Sequence, residues 1–333
     1  MRVAIVRLTA MGDVIHTLAS MQFIKARIPG IHITWFVEEK FAEILRHNPH
    51  IDTIVPVDMH GLKKAPSLSA LRAIVHTVKA AGPFDRVIDV QGLIKSAVLA
   101  RIAGSDVAGL DAASAKEGIA TLLYRYTYPV DCAEIAPMRF ASLLAQSLGI
   151  EITKEMLSNK APYLYFETDE ACRTLDPFFT HDKKNVLVVT GASNASKTYP
   201  PEKFTELAEL LKEYNLLLVA GSEAERESAR AIAENSPATL LPPMSLNTLK
   251  YAVAKSDLLI GGDTGPSHMA WAMNRPSILL FGSTPKSMMM ETPVNIAITS
   301  GAKVHPCRFD KNDRSIATIL PKRIAEAVRE VLS

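Results

Sequence analysis

Several things are missing from this chain, and each absence closes off a class of protein. No segment reads G-x-G-x-x-G, so neither half presents the glycine turn that lets backbone approach a dinucleotide pyrophosphate, and a dehydrogenase is disfavoured. No two aspartates are spaced D-x-D, the pattern by which many sugar transferases hold a divalent ion on a diphosphate. The three cysteines, Cys132, Cys172 and Cys307, include no C-x-x-C pair, so spacing gives neither a zinc site nor a disulfide framework, and an odd count suits a reducing compartment. No window approaches the ~18–20 apolar residues of a membrane span. The apolar start Val3–Val6 is cut short by Arg7, well before a secretion signal's apolar core would be complete, so a soluble protein is expected. The net charge is only +2, which argues against wholesale nucleic-acid coating. Finally, no Asp or Glu occurs between Asp58 and Asp85, although that interval holds His60, Lys63, Lys64, Arg72, His76 and Lys79. A merely solvated helix normally mixes signs. A one-sign stretch suits a partner rich in carboxylates and phosphates, or an anionic membrane surface.

What is present reads as two α/β domains. At 333 residues the chain is comfortable for two domains of roughly 150. Residues 3–8 form an apolar strand that runs into a helix from Asp13. Strands follow at 32–38, 52–57 and 85–90, with helical segments at 39–47, 67–81 and 92–103 between and after them. The rhythm weakens over 104–184, where one clear helix ends at Gly149, and restarts with a strand at 185–191. From there strands (215–222, 238–241, 257–262, 277–283) alternate with helices (201–214, 223–234, 245–255, 266–273), and a last helix covers about 320–332. Apolar strands alternating with helices imply parallel sheets covered on both faces. The expected class is α/β, with two Rossmann-like domains facing a central cleft, residues 1–165 and 166–333. The C-terminal helix has room to pack back toward the first domain.

In open parallel sheets ligands bind off the carboxyl ends of the strands. Three such junctions in the second half suit an anion. "TGASNASKTYPPEKF" (190–204) carries Lys197; "AGSEAERES" (220–228) follows the next strand; "GGDTGPSHMAWA" (261–272) sets glycines and hydroxyls before a helix whose free N–H groups favour negative charge. Taken singly these are ordinary features: Lys197 a surface cation, His268 a packed ring, Thr264 and Ser267 N-caps. Three such loops at one sheet edge together argue for a nucleoside-diphosphate site. In the first half the equivalent loop, "LTAMGDVIH", has one glycine, Gly12, followed by Asp13. A carboxylate there repels phosphate. It can cap its helix, stabilising it by ~1 kcal/mol, or it can accept a proton from an incoming hydroxyl.

The segments "RLTAMGDVIHTL", "WFVEEKF", "VIDVQGLIKSA", K-x-Y-P at 197–200, "PPMSL" at 242–246 and "GGDTGPSHMAWA" together resemble the ADP-heptose:lipopolysaccharide heptosyltransferases of glycosyltransferase family 9, inverting enzymes of the two-Rossmann-domain (GT-B) type. The resemblance covers nearly the whole chain. "WFVEEKF" and "DTGPSH" lean toward members that add the first heptose to Kdo-lipid A rather than the second. The resemblance implies Asp13 as general base. It implies donor contacts from Lys197, Glu225, Met244, Asp263, Thr264, Gly265 and His268, with Asp263 orienting heptose hydroxyls or bracing its loop from within. It implies an acceptor contact from Lys95, to which the acid-free stretch adds Lys63 and Lys64, and Gly12 beside the base is expected there too. "IAPM" at 135–138 departs from the family's histidine-bearing version. It further implies ADP-L-glycero-β-D-manno-heptose as donor, Kdo-lipid A as acceptor, no metal cofactor, no nucleic acid, and a cytoplasmic enzyme resting on the cytoplasmic face of the inner membrane. The alternatives are addition of the second heptose, or a non-catalytic nucleotide-sugar binding protein.

Overall fold

The computed structural model describes residues 1–307 and 309–333, in two compact units, Met1–Tyr165 and Phe166–Ser333. The first unit is built on six parallel strands: β1 (Arg2–Val6), β2 (His32–Glu38), β3 (Thr53–Val57), β4 (Arg86–Asp89), β5 (Val107–Leu110) and β6 (Tyr126–Tyr128), in the order β3-β2-β1-β4-β5-β6. The second repeats the plan with β7 (Asn185–Val189), β8 (Asn215–Val219), β9 (Thr239–Leu240), β10 (Leu258–Gly262), β11 (Ser277–Phe281) and β12 (Asn295–Thr299), in the order β12-β11-β10-β7-β8-β9. Both are doubly wound sheets. The order reverses between β1 and β4 in one and between β7 and β10 in the other, and loops at those two places diverge to leave room for a ligand.

The central strands are apolar throughout because both faces are covered. All five residues of β7, β10 and β11 are buried. In the first unit Ala4, Val6, Leu8, Phe36, Val55, Val87 and Leu99 form one cluster on which Phe84 packs, edge-on to Phe36 at 5.9 Å between ring centres. Each such fully buried aliphatic or aromatic side chain contributes about 1.5–3 kcal/mol. The helix Ala136–Leu148 stops at Gly149, whose φ of 65° is the left-handed cap that glycine adopts at least cost.

The C-terminal helix, Pro321–Leu332, spends its apolar stripe within its own unit. Ile324, Ala325 and Val328 are buried in the cluster that holds Leu207, Ala208 and Ile316, and Arg329 bonds Glu213 at 3.0 Å. Three strands lie where the sequence rhythm is weak. β5 and β6 have only four and three residues, and β12 is an edge strand of mixed burial. The segment expected as one helix over 39–47 is a 3-10 turn, Glu39–Phe41, followed by a single α-turn, Ala42–Leu45. Cys172 is the free cysteine among the described residues; it is buried, and its thiol donates to the Glu167 carbonyl at 3.4 Å.

Candidate functional site

In the first unit the site is the loop from β1 into the helix Met11–Leu18. Ala10, not Asp13, is the N-cap, and no side chain caps this helix. Asp13 lies in the first turn with its side chain 28% exposed, so simple capping is not its role. Gly12 is the second helical residue rather than the turn ahead of it, and it is not among the glycines with positive φ. The carboxylate is instead held by Arg7, whose guanidinium pairs with Asp13 Oδ2. Arg7 is 5% exposed. It donates to the Val90 carbonyl at 2.8 Å and lies over the Phe140 ring, 4.6 Å from its centre. A second guanidinium, Arg139, feels both Asp13 and Arg7. Burial and the Arg7 charge lower its pKa, against the pull of Asp13 and Asp131. Asp13 is therefore a positioned carboxylate, paired with Arg7 and within electrostatic reach of Arg139.

Motifs distant in sequence converge on this loop. Gln91, 7% exposed, accepts from Leu8 N at 2.8 Å and Thr9 N at 3.3 Å, and donates to Thr9 Oγ1 at 3.3 Å. Asp89, fully buried at the end of β4, accepts from Gln91 N, Ser96 Oγ and Tyr124 Oη at 2.9, 2.8 and 2.7 Å. Burial pushes its pKa up, and these donors hold it back. The Trp35 indole donates to the Arg7 carbonyl at 3.2 Å. Glu38, 3% exposed, donates its N–H to the Leu8 carbonyl at 3.2 Å, while its carboxylate accepts from His60 N at 2.9 Å. That last bond anchors the helix Met59–Lys64, whose end carries Lys63 and Lys64, both exposed. Lys95 is exposed at the start of the helix Ile94–Ala103. The structure thus places these three cations at the surface and gives none of them an ion-pair partner among the described residues.

In the second unit, loops after β7, β8 and β10 lie side by side because β7 sits between β10 and β8. Lys197 ends a short 3-10 turn, Ala195–Lys197. Its ammonium reaches Asp263 Oδ2 at 2.6 Å and lies 5.1 Å from the centre of the Phe309 ring. His268 Nε2 is 3.0 Å from Asp263 Oδ1. Burial raises the pKa of Asp263, but the His268 hydrogen bond and the Lys197 and His268 charges outweigh it and hold the carboxyl well below the usual range. Asp263 is thus ionised, can only accept, and Nε2 carries the proton. With both carboxylate oxygens engaged and 5% exposure, Asp263 braces the loop from within and draws Lys197 and His268 together. The backbones meet as closely: a Cβ on Gly262 would stand 2.4 Å from the Lys197 carbonyl oxygen, so only glycine fits.

Thr264 occupies the N-cap of the helix Gly265–Ala272, but its hydroxyl pairs with Ser267 Oγ at 3.1 Å and does not cap. Gly265 opens the helix, half-buried. Glu225 accepts from Gly221 N at 2.8 Å and Ser222 N at 2.9 Å, closing a capping box on the helix Glu223–Glu234. Its carboxyl group also lies against Gly191, where a Cβ would come within 2.2 Å of Glu225 Cδ, so it links the first two loops. Met244 is half-buried just ahead of the Ser245 cap. Among the described residues no group of three or more His, Cys, Asp and Glu is arranged to hold a metal ion.

Sequence reasoning missed Arg7, Arg139, Gln91 and Phe309. For Arg7 a signal existed, a lone cation closing an otherwise apolar strand. Gln91 and Arg139 act through space and leave no local pattern.

Comparison with known proteins matches residues 71–315 to the model of glycosyltransferase family 9 (heptosyltransferase). The chain is 34% identical over 345 aligned positions to lipopolysaccharide heptosyltransferase 1 of Campylobacter coli, covering 99% of each protein. It is 31% identical to lipopolysaccharide heptosyltransferase 1 of Escherichia coli K12, over 87% of this chain and 90% of that protein. The fold aligns with the solved E. coli heptosyltransferase WaaC carrying ADP-2-deoxy-2-fluoro heptose, with a TM-score of 0.77, 27% identity and 99% of both chains covered.

Proposed function

The chain belongs to glycosyltransferase family 9, and from that membership we propose that it transfers L-glycero-D-manno-heptose from ADP-L-glycero-β-D-manno-heptose to a Kdo hydroxyl of Kdo-lipid A, in assembly of the lipopolysaccharide inner core. The observation that carries this reading is the full-length likeness to lipopolysaccharide heptosyltransferase 1. Asp13 takes the proton of the Kdo hydroxyl as its oxygen attacks the anomeric carbon. The carbon–oxygen bond to ADP breaks on the opposite face, and ADP departs with the bonding pair, so the configuration inverts. Arg7 holds the Asp13 carboxylate in place. Lys197 and the N–H groups opening the helix Gly265–Ala272 stabilise charge gathering on the diphosphate. His268 keeps Asp263, and through it Lys197, in register. Glu225 and Met244 face the nucleoside. Gly12, Lys63, Lys64 and Lys95 receive the anionic acceptor.

Neutralisation by lysine and backbone amides leaves the diphosphate with no need of a metal cofactor. The enzyme works in the cytoplasm, peripherally on the cytoplasmic face of the inner membrane, where an acceptor built on lipid A is presented. A transfer assay with ADP-heptose, read by product mass, tests the assignment. Heptose gain on Kdo-lipid A supports it. Gain only on an acceptor already bearing one heptose would move the chain to the second transfer step, and ADP-heptose binding with no transfer to either would make it a binding protein.

A further inference from the structure

Six of the seven large apolar side chains exposed on the first unit lie on three neighbouring elements. Leu68 and Leu71 are 73% and 44% exposed, Ile94 and Val98 46% and 45%, and Ile119 and Leu122 63% and 82%. They come from three elements in a row: the helix Leu68–Ala81 packs on the helix Ile94–Ala103, which packs on the 3-10 helix Gly118–Leu123. The first of these runs fourteen residues and turns Val78, Ile74 and Ala81 to the core, which leaves Leu68 and Leu71 outside it. Scattered exposed leucines need no explanation, but a continuous apolar patch marks an interaction surface.

The charges on the same elements say what kind. None of the three carries an Asp or Glu, and their cations Arg72, Lys79, Lys95 and Arg101 are all exposed. On the helix Ile94–Ala103, Ile94, Val98 and Arg101 fall at i, i+4 and i+7, one face of the helix. On the helix Leu68–Ala81, Leu68, Leu71 and Arg72 fall at i, i+3 and i+4, again one face. The nearby Glu117 is taken up in capping, accepting from Ile94 N at 2.7 Å. Exposed apolar side chains set among cations, with Glu117 the neighbouring acid and that one spent on capping, form the pattern of a surface that lies in the headgroup region of an anionic bilayer.

We infer that this surface, centred on Leu68, Leu71, Ile94, Val98, Ile119 and Leu122, seats the protein on an anionic lipid bilayer. Its position suits the proposed reaction, on which the inference rests for the choice of membrane. Ile94 and Lys95 open the helix that follows β4, and β4 pairs with β1, whose loop carries Asp13. The bilayer surface thus begins at the sheet edge that holds the base. No helix among the described residues is long and apolar enough to cross a membrane, so the seating is interfacial.

The test is sedimentation of the full chain with vesicles of phosphatidylcholine, alone or mixed with phosphatidylglycerol, for the wild type and a Leu71→Asp/Leu122→Asp variant. The wild type should bind the mixed vesicles and release in high salt. Each leucine withdrawn from the acyl boundary weakens partition by about tenfold or more, so the double variant should lose about 100-fold. Its ADP affinity, melting temperature and transfer to an acyl-free acceptor should stay at wild-type level. Failure of the wild type to bind mixed vesicles, or equal binding by the variant, overturns the inference. So does a wild-type dimer that the variant converts to monomer while vesicle binding is unmoved, which would assign the patch to self-association. Transfer to the acyl-free acceptor is read separately, so loss of the catalytic proposal and loss of the membrane surface are distinguishable.

Discussion

Replacing Arg7 with methionine tests whether the Asp13 carboxylate must be held as well as present. Methionine keeps the apolar stem and removes three interactions: the ion pair with Asp13, the bond to the Val90 carbonyl at 2.8 Å and the contact with the Phe140 ring at 4.6 Å. The lost hydrogen bond and cation–π contact cost about 1 kcal/mol each. Asp13 keeps some access to water, so its loss of a partner costs less than the 3–5 kcal/mol typical of a fully buried pair. About 3 kcal/mol of stability in all should go, seen as a lower denaturant midpoint with the m value unchanged. The catalytic effect should be comparable in free energy, about 2.7 kcal/mol for a 100-fold loss. A base displaced by about an ångström costs about 100-fold in kcat, while the KM for ADP-heptose, whose proposed contacts lie in the second unit, should hold. Because Arg7 acts through Asp13, an Arg7→Met/Asp13→Asn double variant should be no slower than Asp13→Asn alone. A folded Arg7→Met enzyme with wild-type kcat, or a double variant far slower than the single, refutes the positioning argument.

Three further outcomes are expected. Gly262→Ala puts a Cβ 2.4 Å from the Lys197 carbonyl; the loop must shift, costing about 1–3 kcal/mol, and the KM for ADP-heptose should rise while circular dichroism stays native. Asp263 has a depressed pKa in the folded state, so its stabilisation is in force above the unfolded value of about 3.9 and drains away as pH falls through the folded value. Asp263→Asn should therefore be less stable than wild type at pH 7 and lose less on acidification, as followed by urea unfolding from pH 7 down to pH 3. Transfer should continue in EDTA without added divalent ions; activity abolished by EDTA and restored by Mg²⁺ would place a metal on the diphosphate.

The strands were legible where burial on both faces writes long apolar runs: β2 at 32–38 falls where the pattern puts it. β5, β6 and β12 were not, because three to five residues at a sheet margin carry too few apolar positions to stand out. At the site, Asp13, Lys197, Asp263 and His268 were legible as chemistry-bearing residues at strand-to-helix junctions, and the last three are brought into one bonded group. What they do to one another was not. Position alone favours Asp263 as a group that orients sugar hydroxyls over one that braces its loop, and the bonds from Lys197 and His268 to its two oxygens have no local signature. The wiring of Gln91 to Leu8 and Thr9 spans 83 and 82 residues, a relation that no local pattern encodes.

The central claim is that the carboxylate held by Arg7 is the base for heptose transfer. It is met most directly by one comparison: wild type and Asp13→Asn, ADP-heptose and Kdo-lipid A, product read by mass, ADP affinity measured alongside. The account predicts a heptose-sized gain in the wild type and a rate lower by about 100-fold or more in the variant, with ADP bound equally by both. Transfer by Asp13→Asn at the wild-type rate would contradict it.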